Sequence, residues 1–460
     1  MKRHTIHAAL LLGTLLLGAL IGAVSVASPA AQAQQAPPRI YVSPSGSDAT
    51  GNGSIANPYA TISHAVALAP PHAIVIVMPG VYNEMVNITR QLTLESLTSQ
   101  PSSTVINAIG QTYGIEVLGS GASGTVIEGL TVEHANNHGV FVQDASDVTV
   151  ENNAVVSNGL HPNACPAAPA PPSGPCIEEN KAIELSGTSY STVVDNTVVN
   201  NVADGGIGVS DEGQLNPGGL ESGAPSPGLG NVISGNTVIG NTIGCGIVVA
   251  AYNPGEGVVD NVVSNNYVVN GLPGGIVVAA DVPHTSAVNN SVIYNTVLNN
   301  LIPGIIVHSN TPGDVVQGTK IVGNTVSGNG GFGPKTTGIT LIGNINGSTI
   351  VTDTTISGNV VHNEFFGILA SNATDTSVLS DNSFDASVTV PVQGAAPSQL
   401  SLAALGGEMS TISQLQSSSA STVSSLNAQV STLSAVSYAA LGVAIVLGLA
   451  AIILSVRKRG

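Results

Sequence analysis

The sequence contains no tryptophan and few charged residues. Charged side chains make up 8% of the 460 residues and aromatic side chains 3%, whereas glycine occurs 54 times. All 27 acidic residues lie between Arg39 and Glu408, and only five residues in that span are basic. So acidic a span argues against nucleic acid or anionic lipid as a partner. This composition fits an exported wall or envelope protein better than a cytosolic enzyme.

Cysteine is also scarce, with three residues in the whole chain. Cys165 and Cys176 lie in a proline-rich insertion at 159–180, and we predict a disulfide between them in an oxidising compartment. Two free thiols, or metal ligands joined by His161, are the alternatives. Cys245 lies in the strand-like phrase IGCGIVV, where we expect a small buried apolar residue.

Helical periodicity is missing from the central part of the chain, where one phrase recurs instead. The phrase has a leading asparagine, a short Val/Ile/Thr segment, a polar turn and Gly-Ile-x-Val, and its shortest copies are 23 to 24 residues apart. Its leading positions are Gly129, Asn153, Asn196, Asn236, Asn266, Asn295, Asn324, Asn359 and Asn382. Three β-branched segments per copy predict a parallel β-helix with three strands per coil and about ten coils. A β-sandwich is the alternative.

The repeated asparagines suit the corners of such a coil. Asparagine tolerates the left-handed backbone region, and its amide can hydrogen-bond to the equivalent asparagine of the next coil. Before the repeats, a strand at 40–42, a helix around Ile62 to Leu68 and a strand at 73–78 would cap the open end of the coil, which otherwise exposes a sheet edge and an apolar core.

Both termini carry targeting patterns. Residues 1–33 combine Lys2 and Arg3, an apolar stretch and Ala31-Gln32-Ala33, which predicts a secretory signal peptide; a retained anchor is the alternative. Residues 34–38 form a linker, and 39–390 form the β-helix. A signal at this end would place the β-helix outside the cytoplasm.

The carboxyl-terminal part has a different pattern. Apolar residues spaced by three and four from Leu402 to Leu433 predict a Ser/Thr-rich coiled-coil stalk over 391–436, which could self-associate; a disordered spacer is the alternative. Residues 437–456 predict a transmembrane helix, and the basic residues of 457–460 predict a cytoplasmic tail. A sorting signal that is later cleaved is another interpretation. We therefore expect a cell-surface protein anchored in the plasma membrane.

The capping segment carries a resemblance. The stretches YVSPSGSD, NPYATISHAV, VMPGVYNE and VNITRQLTL resemble the amino-terminal segment of secreted right-handed β-helix proteins of the pectate-lyase-like superfamily, and the later repeats resemble coils of the NosD type. The resemblance covers roughly Ile40 to Val390 and implies a right-handed parallel β-helix. It transfers no catalytic residue, because this scaffold hosts lyases, hydrolases, esterases, adhesins and binding proteins.

Loops of variable length follow the strands of one predicted sheet. Stacked on each other, they should form a ribbon of polar residues along one side of the coil. The ribbon residues are Asp144, Asp211, Glu212, Tyr252, Glu256, Asp281, His284, His308 and Asp314. We expect substrate contacts from Asp144, Glu184, Asp211, Glu212, Tyr252 and His308. Ordinary solvated turn residues are the alternative explanation.

The sequence contains candidate ligands for two kinds of metal site. Asp211, Glu212, Glu256 and Asp281 are oxygen ligands suited to Ca²⁺. The NosD likeness makes copper worth considering at His134 and His138, although turn or surface roles are expected for the histidines.

Lys181 is the one candidate for a catalytic base. A polysaccharide lyase needs a base beside a metal ion, and Lys181 lies among Glu178, Glu179 and Glu184. Neighbouring carboxylates favour the charged form of a lysine, however, which makes it a worse base. We therefore expect a protein that binds extracellular polysaccharide or serves as a structural or adhesive component of the envelope. A tethered Ca²⁺-dependent pectate-type lyase is the second hypothesis.

Five Asn-x-Ser/Thr sequons provide candidate glycosylation sites in an exported domain. They begin at Asn52, Asn87, Asn289, Asn346 and Asn372.

Overall fold

In a computed structural model, the chain is described over residues 36–159, 181–202, 205–211, 226–242, 244–271, 273–343 and 350–394. These residues wind into a parallel β-helix whose strands pair with the equivalent strands of the coils before and after. Each coil passes through sheet 1, sheet 2 and sheet 3 in turn, and several coils add a strand of sheet 4 before they return to sheet 1. The predicted parallel pairing is confirmed.

Sheet 1 has twelve strands in the described part of the chain. They are Arg39–Val42, Ala73–Val77, Leu92–Ser96, Val126–Glu128, Thr149–Glu151, Thr192–Val194, Val232–Ser234, Val262–Ser264, Ser291–Ile293, Lys320–Val322, Thr355–Ser357 and Ser377–Val378.

Sheet 2 follows sheet 1 around each coil, and eleven of its strands are described. They are Gly80–Tyr82, Thr104–Asn107, Thr131–Glu133, Ala154–Val156, Thr197–Val199, Thr237–Ile239, Tyr267–Val269, Thr296–Leu298, Thr325–Ser327, Val360–His362 and Ser383–Phe384.

Sheet 3 contains the longest strands, again eleven over the described ranges. They are Val86–Ile88, Ile115–Leu118, Val140–Gln143, Lys181–Ser186, Gly205–Ser210, Cys245–Ala251, Ile276–Ala280, Ile305–Ser309, Thr337–Ile342, Phe366–Ser371 and Val390–Gln393.

Sheet 4 is short and was not predicted, since the sequence indicated three strands per coil. Its five described strands lie in loops that follow sheet 3, where brief β-branched segments come after a polar turn. They are Gly228–Leu229, Gly257–Val259, Ser286–Val288, Val315–Gln317 and Ile350–Thr352.

The core lies inside the coil. Most strands of sheets 1 and 2 have three residues, and the middle one is buried while the outer two are more exposed, because successive side chains of a strand point to opposite faces. The middle residues stack in register, for example Val193, Ile233, Val263 and Val292. A separate apolar cluster, with Val248, Val277 and Ile306, lies on the outer side of sheet 3.

The amino-terminal cap has the predicted helix, α1 (Ile62–Leu68). Ile62, Ala65 and Val66 are buried against the first coils. Carboxylates satisfy the free amides at the start of the helix. Asp48 accepts hydrogen bonds from Ala60 N and Thr61 N, and Glu84 accepts from Ile62 N and Ser63 N. Two short 3-10 helices, Pro101–Ser103 and Ser120–Ala122, follow later in the chain.

The predicted asparagine ladder is confirmed. At the corner between sheets 1 and 2, Asn236 N donates to Asn266 Oδ1 at 2.9 Å, Asn266 N to Asn295 Oδ1 at 2.9 Å, and Asn295 N to Asn324 Oδ1 at 2.9 Å. The ladder runs from Asn153 to Asn382 in the same way.

One detail of that prediction was wrong. The left-handed backbone belongs to the residue before the ladder asparagine in seven coils, as at Asp195, Asn265 and Tyr294. The ladder asparagine itself does not adopt it, because its side chain turns inward to meet the next coil.

Several predictions concern residues outside the described ranges. They are the signal peptide, the Cys165–Cys176 disulfide, Glu212, Asn346, the stalk after residue 394 and the transmembrane helix, and these remain predictions. Residues 391–393, predicted as the start of the stalk, belong instead to the last strand of sheet 3. Among the residues that the structure describes, no helix has the length and apolar character needed to cross a membrane.

Candidate functional site

The predicted ribbon lies where the strands of sheet 3 end. Gln143, Ser186, Ser210, Ala250, Ala279 and His308 are in register across six neighbouring strands. The one or two residues that follow them are therefore stacked at one edge of the sheet, coil above coil. This register brings Asp144, Asp211, Tyr252, Asp281 and Asn310 to the same side of the molecule.

Asp211 is buried and organises the turn of the next coil. Its Oδ1 accepts hydrogen bonds from Tyr252 N at 2.6 Å and Asn253 N at 3.2 Å, and Asn253 Nδ2 donates to its backbone carbonyl. Oδ2 has no hydrogen-bond partner. Burial raises the pKa of Asp211 to about 7, with a further contribution from the charge of Glu256. A buried carboxylate oxygen next to a second carboxylate favours a proton or a cation here.

Asp281 and His308 come from neighbouring coils and meet at the next level of the ribbon. Asp281 Oδ1 accepts a hydrogen bond from Asn310 Nδ2 at 2.7 Å, and His308 Nδ1 lies 3.4 Å from the same oxygen. The contact between His308 and Asp281 lacks hydrogen-bond geometry, so the two groups are close together but not hydrogen-bonded. Both side chains are partly exposed, at 21% for Asp281 and 16% for His308.

The outer face of sheet 3 holds Lys181 and Glu184, both 1% exposed. Their side chains run over Gly208 in the next coil, and a Cβ at that position would collide with both. Lys181 Nζ lies 5.8 Å from the centre of the Tyr252 ring, and Glu184 Oε1 accepts a hydrogen bond from Ser210 Oγ at 2.7 Å. The structure thus brings together three predicted site residues, Lys181, Glu184 and Tyr252. It buries Lys181, however, which is the residue predicted to act as a base.

An aromatic stack lies beside Lys181 on the same face, and sequence reasoning missed it. Phe141 stacks on Tyr113 at 5.1 Å and on His138 at 4.6 Å between ring centres. His138 Nδ1 lies 2.8 Å from the Lys181 carbonyl oxygen, and burial lowers the pKa of His138 to about 3, so the ring is neutral. Glu116, paired with Phe141 in the sheet, has a pKa raised by burial.

The histidine pair considered for copper is not a shared site. His134 contacts Asn107 at 3.2 Å and is partly exposed, whereas His138 is buried against the Lys181 backbone. Within the described ranges, no three His, Cys, Asp or Glu side chains are grouped as they would be around a metal ion. Ca²⁺ at Asp211, Glu212, Glu256 and Asp281 remains a prediction, and Glu212 lies outside those ranges.

The remaining candidates differ in exposure. Asp144 is half-buried, and burial raises its pKa. Cys245 is only partly buried, which is less burial than the sequence indicated. The described sequon asparagines all have exposed side chains: Asn52, Asn87, Asn289 and Asn372.

Comparison with known proteins supports the architecture. Residues 102–292 match a family described as the right handed beta helix region. None of the curated proteins matches the chain.

Solved structures with similar folds include three β-helices. Pectate lyase Pel9A shares 16% identity over 78% of this chain and 82% of that chain, with a TM-score of 0.47. The Yersinia enterocolitica family 28 exopolygalacturonase shares 12% identity over 79% and 77%, with a TM-score of 0.48. The Dettilon tailspike protein shares 18% identity over 77% and 68%, with a TM-score of 0.44. Each is a likeness of fold and carries no activity over to this chain.

Proposed function

We propose that this right-handed parallel β-helix protein is held at the cell surface and binds extracellular polysaccharide along the ribbon at the end of sheet 3. The observation that carries the proposal is the stacked row of hydrogen-bonding side chains from successive coils, with Asp281, His308 and Asn310 at its partly exposed centre. A polymer that lies along the coil axis would meet a similar group at each coil, roughly every 4.8 Å.

Binding is favoured over catalysis by the burial of Lys181. A general base must reach the proton that it removes from the substrate, and Lys181 is only 1% exposed. A role in the structural or adhesive envelope layer is compatible with the same ribbon. The lyase hypothesis has no comparable observation in its favour.

The test uses the full-length protein on a glycan array, followed by titration of the best-bound polymer. We expect retention that falls roughly tenfold in Asp281→Asn/Asn310→Ala, since the charge of one carboxylate and the hydrogen-bonding amide of Asn310 are removed from one level of the ribbon. Asp195→Asn, at an exposed corner between sheets 1 and 2, is the matched control. Release of unsaturated products from polyuronate, abolished by Lys181→Ala, would instead identify a lyase.

We also propose that Asp211 and Glu256 contribute to a Ca²⁺ site. Asp211 Oδ2 is buried without a hydrogen-bond partner, and the two carboxylates are close enough for Glu256 to raise the pKa of Asp211. Carboxylate oxygens are the ligands that Ca²⁺ prefers. Added Ca²⁺ should raise the melting temperature of the full chain, and chelator should reverse the rise. An equal rise in Asp211→Asn would contradict this site.

A further inference from the structure

The outer face of sheet 2 is free of charge over five coils. Its strands there are Thr197–Val199, Thr237–Ile239, Tyr267–Val269, Thr296–Leu298 and Thr325–Ser327. The middle residue of each strand is buried, so the first and third residues form the outer face. The first positions are four threonines and Tyr267, and the third are Val199, Ile239, Val269, Leu298 and Ser327. We call this surface the threonine face.

The corners on either side of the threonine face are also polar and nearly uncharged. Asn200, Asn270 and Asn299 follow the strands with exposed side chains and left-handed backbones. On the other side the corner residues are Asp195, Gly235, Asn265, Tyr294 and Gly323, of which only Asp195 is charged. Amides and hydroxyls therefore surround an apolar strip.

Two tyrosines are the most exposed large side chains of this surface. Tyr267 is 42% exposed and Tyr294 is 43% exposed. Tyr267 is paired with Thr296 of the next coil, and Tyr294 comes two residues before Thr296. Their Cα atoms are therefore about 8 Å apart, from a coil spacing of ~4.8 Å and a rise of ~3.3 Å per residue.

The backbone of Tyr294 fixes the position of its ring. Tyr294 has φ 56°, a region that is costly for a bulky residue. Equivalent corners carry Asp, Gly or Asn, which adopt this region more readily. The ring lies over Gly323 of the next coil, where a Cβ would meet its Cδ1 and Cε1 atoms. One ring face is thus held against the backbone in a fixed orientation.

We infer that the threonine face binds an uncharged polysaccharide, with Tyr267 and Tyr294 as its aromatic contacts. The aliphatic face of a sugar ring packs on an aromatic ring and buries apolar area, while the surrounding hydroxyls and amides can hydrogen-bond to sugar hydroxyls. This inference extends the proposed function but uses a different face of the coil. Binding at the ribbon and binding at the threonine face can therefore be disproved separately.

Two other occupants fit less well. A polyanion would find no cation among the outward residues of this face, and it would be repelled by the acidic protein. A second copy of the chain would bury too little area, because five coils of three-residue strands cover only about 240 Å², against roughly 800 Å² per partner in a stable interface. A small contact suits a polymer that engages many tethered copies at once.

The experiment measures the bound fraction of full-length protein on insoluble cellulose, chitin and β-1,3-glucan, at low and high salt. We expect retention on at least one of these solids, with little effect of salt, because no ion pair is involved. Tyr267→Thr/Tyr294→Asn should lower the bound fraction roughly tenfold. Both substitutions introduce a residue that neighbouring coils already carry at the same position, so the fold should persist with an unchanged circular dichroism spectrum.

The control is Tyr190→Asn. Tyr190 is 61% exposed, has φ 56° and covers Gly230 of the next coil, but it lies at another corner. Its substitution should leave binding unchanged. Absence of retention of the wild type on all three solids would overturn the inference. So would a double variant that binds as well as the wild type, or a Tyr190→Asn variant that loses as much binding as the double variant. Loss of ribbon binding in Asp281→Asn/Asn310→Ala, with the solids still bound, would separate the two sites.

Discussion

Asparagine has two separate roles at the corners of this molecule. The ladder asparagines are buried and link one coil to the next, whereas the residues just before them are exposed and supply the left-handed turn. Further ladders lie five residues away on either side, for example at Asn231 and Asn241 around Asn236. The spacing of five was readable in the sequence, since a three-residue strand and a two-residue corner make five residues.

Removal of one ladder residue should destabilise several coils. Asn295 Oδ1 accepts from Asn266 N, and its Nδ2 donates to Val263 O at 2.9 Å. Asn295→Ala leaves both groups buried without partners, so we expect a loss of roughly 3 kcal/mol or more in the free energy of unfolding. Denaturant titration measures it. The exposed corner variant Asn265→Gly, which keeps the left-handed backbone, should change stability by less than about 1 kcal/mol.

The ladder that contains Asn300 and Asn329 ends at Glu364. This glutamate should make the stability of the protein depend on pH. Glu364 Oε1 accepts from Asn329 N at 2.7 Å, and burial raises the pKa of Glu364 from 4.5 to about 7. Between these values the folded state holds a proton that the unfolded state has released. Stability should therefore fall as pH rises from about 4.5 to 7.

Glu364→Gln isolates this contribution. The amide oxygen can still accept from Asn329 N, but it does not titrate. The difference in melting temperature between variant and wild type should grow in favour of the variant as pH rises from 5 to 7.5. A difference that stays constant over this range would show that Glu364 does not titrate near neutral pH.

At the scale of elements, α1 depends on acidic side chains from outside the helix. Glu84 accepts from Ile62 N at 2.9 Å and Ser63 N at 2.8 Å, and carboxylates at a helix start also interact favourably with its dipole. The sequence predicted the helix as part of a cap over the first coil. It gave no indication that Asp48, 12 and 13 positions from its partners, and Glu84, 22 and 21 positions from its partners, would bind the amides at the helix start, because those contacts need the chain to close on itself.

Glu84→Ala should loosen the cap. We expect a loss of about 1 to 2 kcal/mol in the free energy of unfolding, because two amides at the start of α1 lose their acceptor. Hydrogen exchange of residues 62–68 should quicken more than that of the central coils. Uniform acceleration along the whole chain would argue that the cap and the coils unfold as one unit.

At the scale of the whole molecule, about eleven stacked coils give a rod roughly 50 Å long. The sequence predicted about ten coils, because the first coils lack the leading asparagine that marks the others. A rod of this kind keeps its faces separate, so the ribbon and the threonine face can bind independently. The apolar cluster outside sheet 3 is a further result of stacking, since Val248, Val277 and Ile306 are far apart in sequence.

The predicted anchor can be tested directly. The full chain should fractionate with membranes, whereas a chain ended after residue 436 should be released into the medium, because 437–456 is the apolar segment and 457–460 carries the basic residues. Immunoblotting of membrane and medium fractions measures this. Equal partition of both chains would contradict the anchor.

The sequence by itself determined the parallel coil, its capping helix and the ribbon of loops, because a repeat places equivalent residues in register whatever their distance along the chain. Only the tertiary structure decided which of those residues are accessible. Lys181 and Glu184 looked available in the sequence and are buried, while Tyr267 and Tyr294 form one surface that no linear spacing indicated. Exposure depends on what packs over each face of the coil, and a repeat pattern does not contain that information.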